Sequence, residues 1–197
     1  GIAEGKVLKK EKFTESQNKP KIEIKDKKTD QNHLVMGVRS FNLHDKRMPI
    51  LKVLTSVLSG GMSARLFQKM REELGICYYI KASINDLSDH GNFIVWAGVD
   101  KSRLKEGIEG ILDELKKLIT DEVPKDELKK AKDYLIGKMY LTMESSDELA
   151  GFYGFQEIMG EKIKSPKEVE KEILKVTAKD LKKLAEELFT NKNLNMA

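Results

Sequence analysis

The sequence holds a single cysteine, Cys77, so no internal disulfide framework can brace the fold. No apolar run approaches the roughly 18 residues of a membrane span. The N-terminus lacks the charge, apolar run and small-residue cleavage site of a signal peptide, and a cytoplasmic location is the expectation. Neither sign of charge dominates. Thirty-six basic and 32 acidic residues leave a formal +4, which describes a solvated surface rather than a nucleic-acid footprint. The usual catalytic motifs are also missing. There is no Gly-x-x-x-x-Gly-Lys-Ser/Thr phosphate loop and no Gly-x-Ser-x-Gly elbow. None of His33, His44 and His90 has a second histidine four residues on, so no helix presents two imidazoles to a zinc ion. His33 reads as a strand residue and the other two as turn residues. No internal repeat is visible.

What is present is 197 residues, 40% apolar and 35% charged, enough to bury a sizeable core without cross-links. Residues 1–19 are polar and lack apolar periodicity, and read as a linker or arm; residues 20–197 read as a single domain. Lys21 to Lys25 alternates like a strand, and Gln31 to Phe41 gives a second one. Asp45 is expected to cap a helix with Pro49 in its first turn and Ile50, Leu51, Val53, Leu54, Val57 and Leu58 buried. Cys77 to Ile84 and Phe93 to Ala97 form a hairpin pattern. Apolar stripes then predict helices through Leu104–Leu118, Leu128–Met143 and Leu149–Met159, with Phe152, Tyr153 and Phe155 read as core rather than as a ligand box. Ser165-Pro166-Lys167-Glu168 is a capping box with proline at the first helical position, and Thr177 to Asp180 caps a last helix. Asn193 to Ala197 stops at the start of an expected strand. The linker-like start and abrupt end suggest a piece of a longer chain. The class is α+β, an antiparallel sheet with helices packed on one face.

The most informative stretch is Ser59 to Tyr79. Ser63 is the expected cap of a short helix carrying Leu66, Phe67, Met70 and Leu74 on one stripe. Gly75 suits the left-handed position that closes a helix. Arg71 thus lies in the last helical turn and Tyr78 just beyond the corner. Two readings stay open. Arg71 neutralises the helix C-terminus and Tyr78 packs in a sheet, or both donate hydrogen bonds to a substrate carbonyl or oxyanion. They have no means of activating water by themselves.

Several stretches, in order and spacing, resemble the zinc peptidase family of insulinase, pitrilysin and the mitochondrial processing peptidases. They are Thr29 to Gly37, Leu58-Ser59-Gly60-Gly61-Met62-Ser63-Ala64-Arg65-Leu66-Phe67, Arg71-Glu72-Glu73-Leu74-Gly75-Ile76-Cys77-Tyr78, Ala131 to Ser145, and Val176 to Leu181. The resemblance runs from about Lys21 to Ala197. The family's catalytic half carries an inverted His-x-x-Glu-His zinc motif, which is missing here. The resemblance is therefore to the non-catalytic, C-terminal-type half, and it implies a processing-peptidase-like metallohydrolase fold. It further implies that Arg71 and Tyr78, with Tyr79 in reserve, contact a peptide substrate. No cofactor is expected on this chain; zinc and its general base would sit on a catalytic half, fused or separate. The chain alone is then not an active metalloendopeptidase. Family relatives that serve as core subunits of a respiratory complex imply the alternative, a scaffold without a role in proteolysis.

Overall fold

The computed structural model describes residues 5, 11, 14 and 16–197. The proposed arm at 1–19 lies largely outside the described residues. Two short pieces of chain, β1 (Lys21–Ile22) and β5 (Leu194–Met196), flank one side of three long antiparallel strands. These are β2 (Asn32–Ser40), β3 (Cys77–Asp86) and β4 (Gly91–Val99), with β4 in the middle. The order across the sheet is β1-β5-β2-β4-β3. All neighbours are antiparallel except β1 and β5, which pair in parallel, Lys21 opposite Asn195 and Ile22 opposite Met196. Only that edge pair departs from the expected antiparallel sheet. The strand expected over Lys21 to Lys25 is confined to two residues. Ile22 and Ile24 are exposed, so no burial holds the remainder in the sheet.

Period-two alternation divides β2 and β4 cleanly. Leu34, Met36 and Val38 lie opposite Ala97, Val95 and Phe93, and all six are buried. The intervening His33, Val35, Gly37 and Arg39 lie opposite Gly98, Trp96, Ile94 and Asn92 on the other face. Among the described residues, helices cover only the first face. α1 (Met48–Ser59), α3 (Leu104–Thr120) and α7 (Ala178–Leu188) form the inner helical layer, and α4 (Lys125–Thr142) and α6 (Pro166–Lys175) stack behind α1. Buried residues of α1 include Leu51, Val53, Leu54, Val57 and Leu58, because that helix is covered on both sides.

The helix ends show which local signals operate. Thr177 Oγ1 accepts from the Asp180 N–H while Asp180 accepts from the Thr177 N–H at 2.8 Å, a capping box. Ser165 and Glu168 repeat the motif, with Pro166 opening α6. At α1 the cap differs from expectation. Arg47 holds the cap position, and Asp45 instead binds the Arg47 N–H at 2.8 Å and grips its guanidinium. That guanidinium holds the Asp45 carboxyl below its ordinary range.

The aromatic residues near 152 are a correction. They belong to α5 (Ser146–Ile158), whose sole buried residue is Gln156. Phe152 and Tyr153 are half-buried and Phe155 is 52% exposed. This helix packs closely on none of the others. It walls off a cleft of about 810 Å³ whose opposite side includes Met48, Ile50 and Val169.

Candidate functional site

The candidate site starts at the Gly60-Gly61 corner after α1. α2 (Arg65–Phe67) follows, and Arg65 clamps it to α4 through two hydrogen bonds to Glu127, of 2.7 and 2.8 Å. Ser63 is not its cap. The extended residue before the helix is Ala64, and no side chain caps it. The helix then widens into a π-helical turn, Gln68–Glu73, in which the Leu74 N–H reaches back to the Lys69 carbonyl. Such a turn carries one residue more than an α-turn and therefore rotates the side chains that follow. Met70 is fully buried against Gly110 of α3. Arg71, next in sequence, faces solvent. Gly75, at φ +62°, closes the turn in the left-handed conformation expected from sequence.

The arginine that serves the helix end is Arg103, not Arg71. Arg103 Nη1 donates to the Leu74 carbonyl at 2.9 Å. Arg71 Nη1 instead donates to the backbone carbonyl of Tyr78 at 2.9 Å, with its guanidinium 5.5 Å from the centre of the Phe67 ring. The chain reversal does bring Arg71 and Tyr78 together, through the peptide carbonyl rather than the phenol.

Strand β3 starts irregularly. Cys77 pairs with Val99 and Tyr79 with Gly98, so Tyr78 is an extra residue in a β-bulge. Cys77 and Ala82 are buried, with half-buried Ile80 between them on the helical face. In an unbroken strand two steps from Ile80 would turn Tyr78 inward and three would turn Cys77 outward. The bulge reverses this: Cys77 faces the core and Tyr78 is 65% exposed. Burial pushes the Cys77 thiol up to about 11, so it is neutral and unreactive at ordinary pH.

Tyr79, the reserve position, has a different setting. Its ring covers Gly98, where an added Cβ would lie 2.5 Å from Cε1. Its hydroxyl is hydrogen-bonded to His33 Nδ1 at 2.9 Å, two strands away. Tyr79 is thus a cross-sheet clamp that only glycine at position 98 permits. Sequence reasoning overlooked His33, Gly98 and Arg103. A signal for the bulge was available, since Cys77 and Ile80 are both inward-type residues separated by two tyrosines rather than one.

Among the described residues, no group of three or more His, Cys, Asp or Glu side chains is placed to hold a metal ion. His33, His44 and His90 are on separate segments and Cys77 points into the core, so this donor set does not fit zinc. The guanidinium and phenol are hydrogen-bond donors, and among the described residues neither forms an ion pair or a side-chain bond to a carboxylate or imidazole. They suit binding a carbonyl or an oxyanion and are unsuited to generating a nucleophile.

Residues 3–135 match the model of the peptidase M16 inactive domain. The chain belongs to that family. An uncharacterized zinc protease of Bacillus subtilis is 31% identical over 164 residues, covering 83% of this chain and 40% of the relative. One from Streptomyces coelicolor is 29% identical over 169 residues, covering 86% and 37%. The chain thus spans about two fifths of the length of these relatives. Solved structures share the fold. A peptidase M16 inactive domain from Pseudomonas fluorescens superposes with TM-score 0.84 at 15% identity, over 96% of this chain and 45% of that one. A protease from Helicobacter pylori gives 0.78 at 20% identity, over 91% and 44%. A chain of complex III2 from Candida albicans gives 0.77 at 13% identity, over 90% and 44%. M16 inactive domains are the non-catalytic parts of zinc peptidases, and the α+β architecture agrees with that membership. No described helix is long and apolar enough to cross a membrane.

Proposed function

We propose that this chain is the substrate-binding, chamber-closing wall of a zinc peptidase that acts on unfolded peptides. Arg71 and Tyr78 contact the peptide opposite a zinc site carried by a separate catalytic half. The observation that carries the reading is the bulge at Tyr78. With the bulge the Tyr78 side chain is 65% exposed, and the solvent-facing Arg71 is tied to the same residue through its backbone carbonyl. Neither residue lines the cleft beside α5 or the groove at the β1–β5 edge. A second body would have to complete the enclosure, as a two-half peptidase requires. When bound, zinc would supply an activated water from the partner half. The residues here would hold the peptide in register, donate to its carbonyl and exclude solvent.

The test uses the protein assembled with its zinc-motif half and a fluorogenic unstructured peptide. The assembled protein should cleave, and the chain alone with added zinc should not. Arg71→Ala and Tyr78→Phe should each lower kcat/KM by about 10²-fold with assembly intact. Zinc-dependent cleavage by the isolated chain would contradict the assignment. Unchanged kinetics in both variants would support the alternative of a scaffold subunit, the reading that the shared fold with a complex III2 chain keeps in view.

A further inference from the structure

The helix and the strand on either side of Gly75 each contain one surplus residue. The helix accommodates it as the π-helical turn Gln68–Glu73, and the strand as the bulge at Tyr78. One side-chain hydrogen bond joins the two irregularities, from Arg71 Nη1 to the Tyr78 carbonyl. We propose that Arg71 is a positioning residue, whose guanidinium pins the bulge and thereby sets the direction in which the Tyr78 phenol projects. The structural part stands on this geometry; its consequence for peptide turnover rests on the function proposed above.

The extra residue of a bulge has no opposite number in the ladder, and its polar groups need another partner. At Tyr78 the carbonyl accepts from Arg71 Nη1. The alternative to the bulge is a regular strand start, which moves Tyr78 to the buried face and Cys77 to solvent. Arg71 stabilises the first arrangement over the second because its donor reaches the carbonyl only when residue 78 loops out. The donor is itself well placed. Met70 is locked against Gly110, which fixes the rotation of the π-helical turn. The Phe67 ring, one helical turn back, lies beneath the guanidinium. Arg103 occupies the Leu74 carbonyl, so the helix end does not compete for Arg71. On the far side of the bulge, the Tyr79–His33 clamp over Gly98 fixes the next residue. Tyr78 is therefore the single movable step between two anchored neighbours, and Arg71 is its stop.

The test places 3-fluorotyrosine at Tyr78 in the intact protein and follows its fluorine resonance together with amide exchange at Gly98 and Val99. Arg71→Ala should shift and broaden the resonance and speed exchange at the two amides about tenfold or more. Arg71→Lys, which keeps one N–H donor, should restore part of the native signal. A resonance and exchange pattern unchanged in Arg71→Ala would overturn the proposal. Peptide turnover is read separately. If Tyr78→Phe leaves turnover untouched while Arg71→Ala still disturbs the resonance, the strut stands and the substrate role of the pair falls.

Discussion

Helices α1 and α5 have 12 and 13 residues and are both rich in apolar side chains, yet they have opposite fates. Seven residues of α1 are buried, against one of α5. α1 lies between the sheet and the α4–α6 layer, so each of its faces meets a neighbour. α5 follows the Met143–Ser145 turn at the end of α4 and runs beside the domain instead of through it. Ile158 remains 86% exposed and Phe155 52%. Apolar content thus predicts that a segment favours cover, whereas topology decides whether its own chain supplies it. The same contrast separates the two faces of the sheet. One is filled by Leu34, Met36, Val38, Phe93 and Val95; the other leaves Val35 40% exposed and sets Lys81 5.7 Å from the Trp96 ring centre.

Core truncation breaks the comparison hardest. Leu54 of α1 is wholly buried, and Leu54→Ala should cost roughly 2–5 kcal/mol from lost transfer energy plus the residual cavity. Urea unfolding with unchanged slope would measure it. A smaller effect comes from α7. Removing its cap by Thr177→Ala should cost about 1 kcal/mol. The Thr177 hydroxyl, with help from its backbone N–H, holds the Asp180 carboxyl below its ordinary value of 3.8. A carboxylate with a lowered folded-state value stabilises the fold above its unfolded value, and that contribution fades as pH falls through the folded one. Thr177→Ala should therefore lose most at neutral pH, and the loss should shrink as pH falls through the lowered value of the Asp180 carboxyl. An equal loss across that pH range would show that the cap works without the carboxylate.

The elements that sequence revealed are those set by neighbours in the chain. The capping boxes at Ser165 and Thr177, the left-handed Gly75 and the β3–β4 hairpin all depend on residues within a few positions. So does the placement of Arg71 and Tyr78 on either side of one corner. What escaped depends on distant partners. Nothing in Lys21-Ile22 announces that it pairs in parallel with Asn195-Met196, because strand pairing is decided by what else reaches that edge. Ser63 has the chemistry of a cap, but Arg65 is tied to Glu127, 62 residues on, and the helix begins where that clamp sets it. Arg103 and Arg71 are equally plausible ligands for the helix end, and only the fold assigns the Leu74 carbonyl to one and the Tyr78 carbonyl to the other.

The smallest expected effect tests α5 directly. Ile158→Ala removes a side chain that is already mostly in water, so little transfer energy is lost and no cavity forms. Alanine is also the better helix former, by a few tenths of a kcal/mol. The net change in unfolding free energy should lie within about 0.5 kcal/mol of zero, and a slight gain is as consistent with this geometry as a slight loss. Placed beside Leu54→Ala, the pair of values measures how far the two helices differ in their surroundings. A cost for Ile158→Ala approaching that of Leu54→Ala would mean that α5 is covered in solution, and the contrast between the two helices would then collapse.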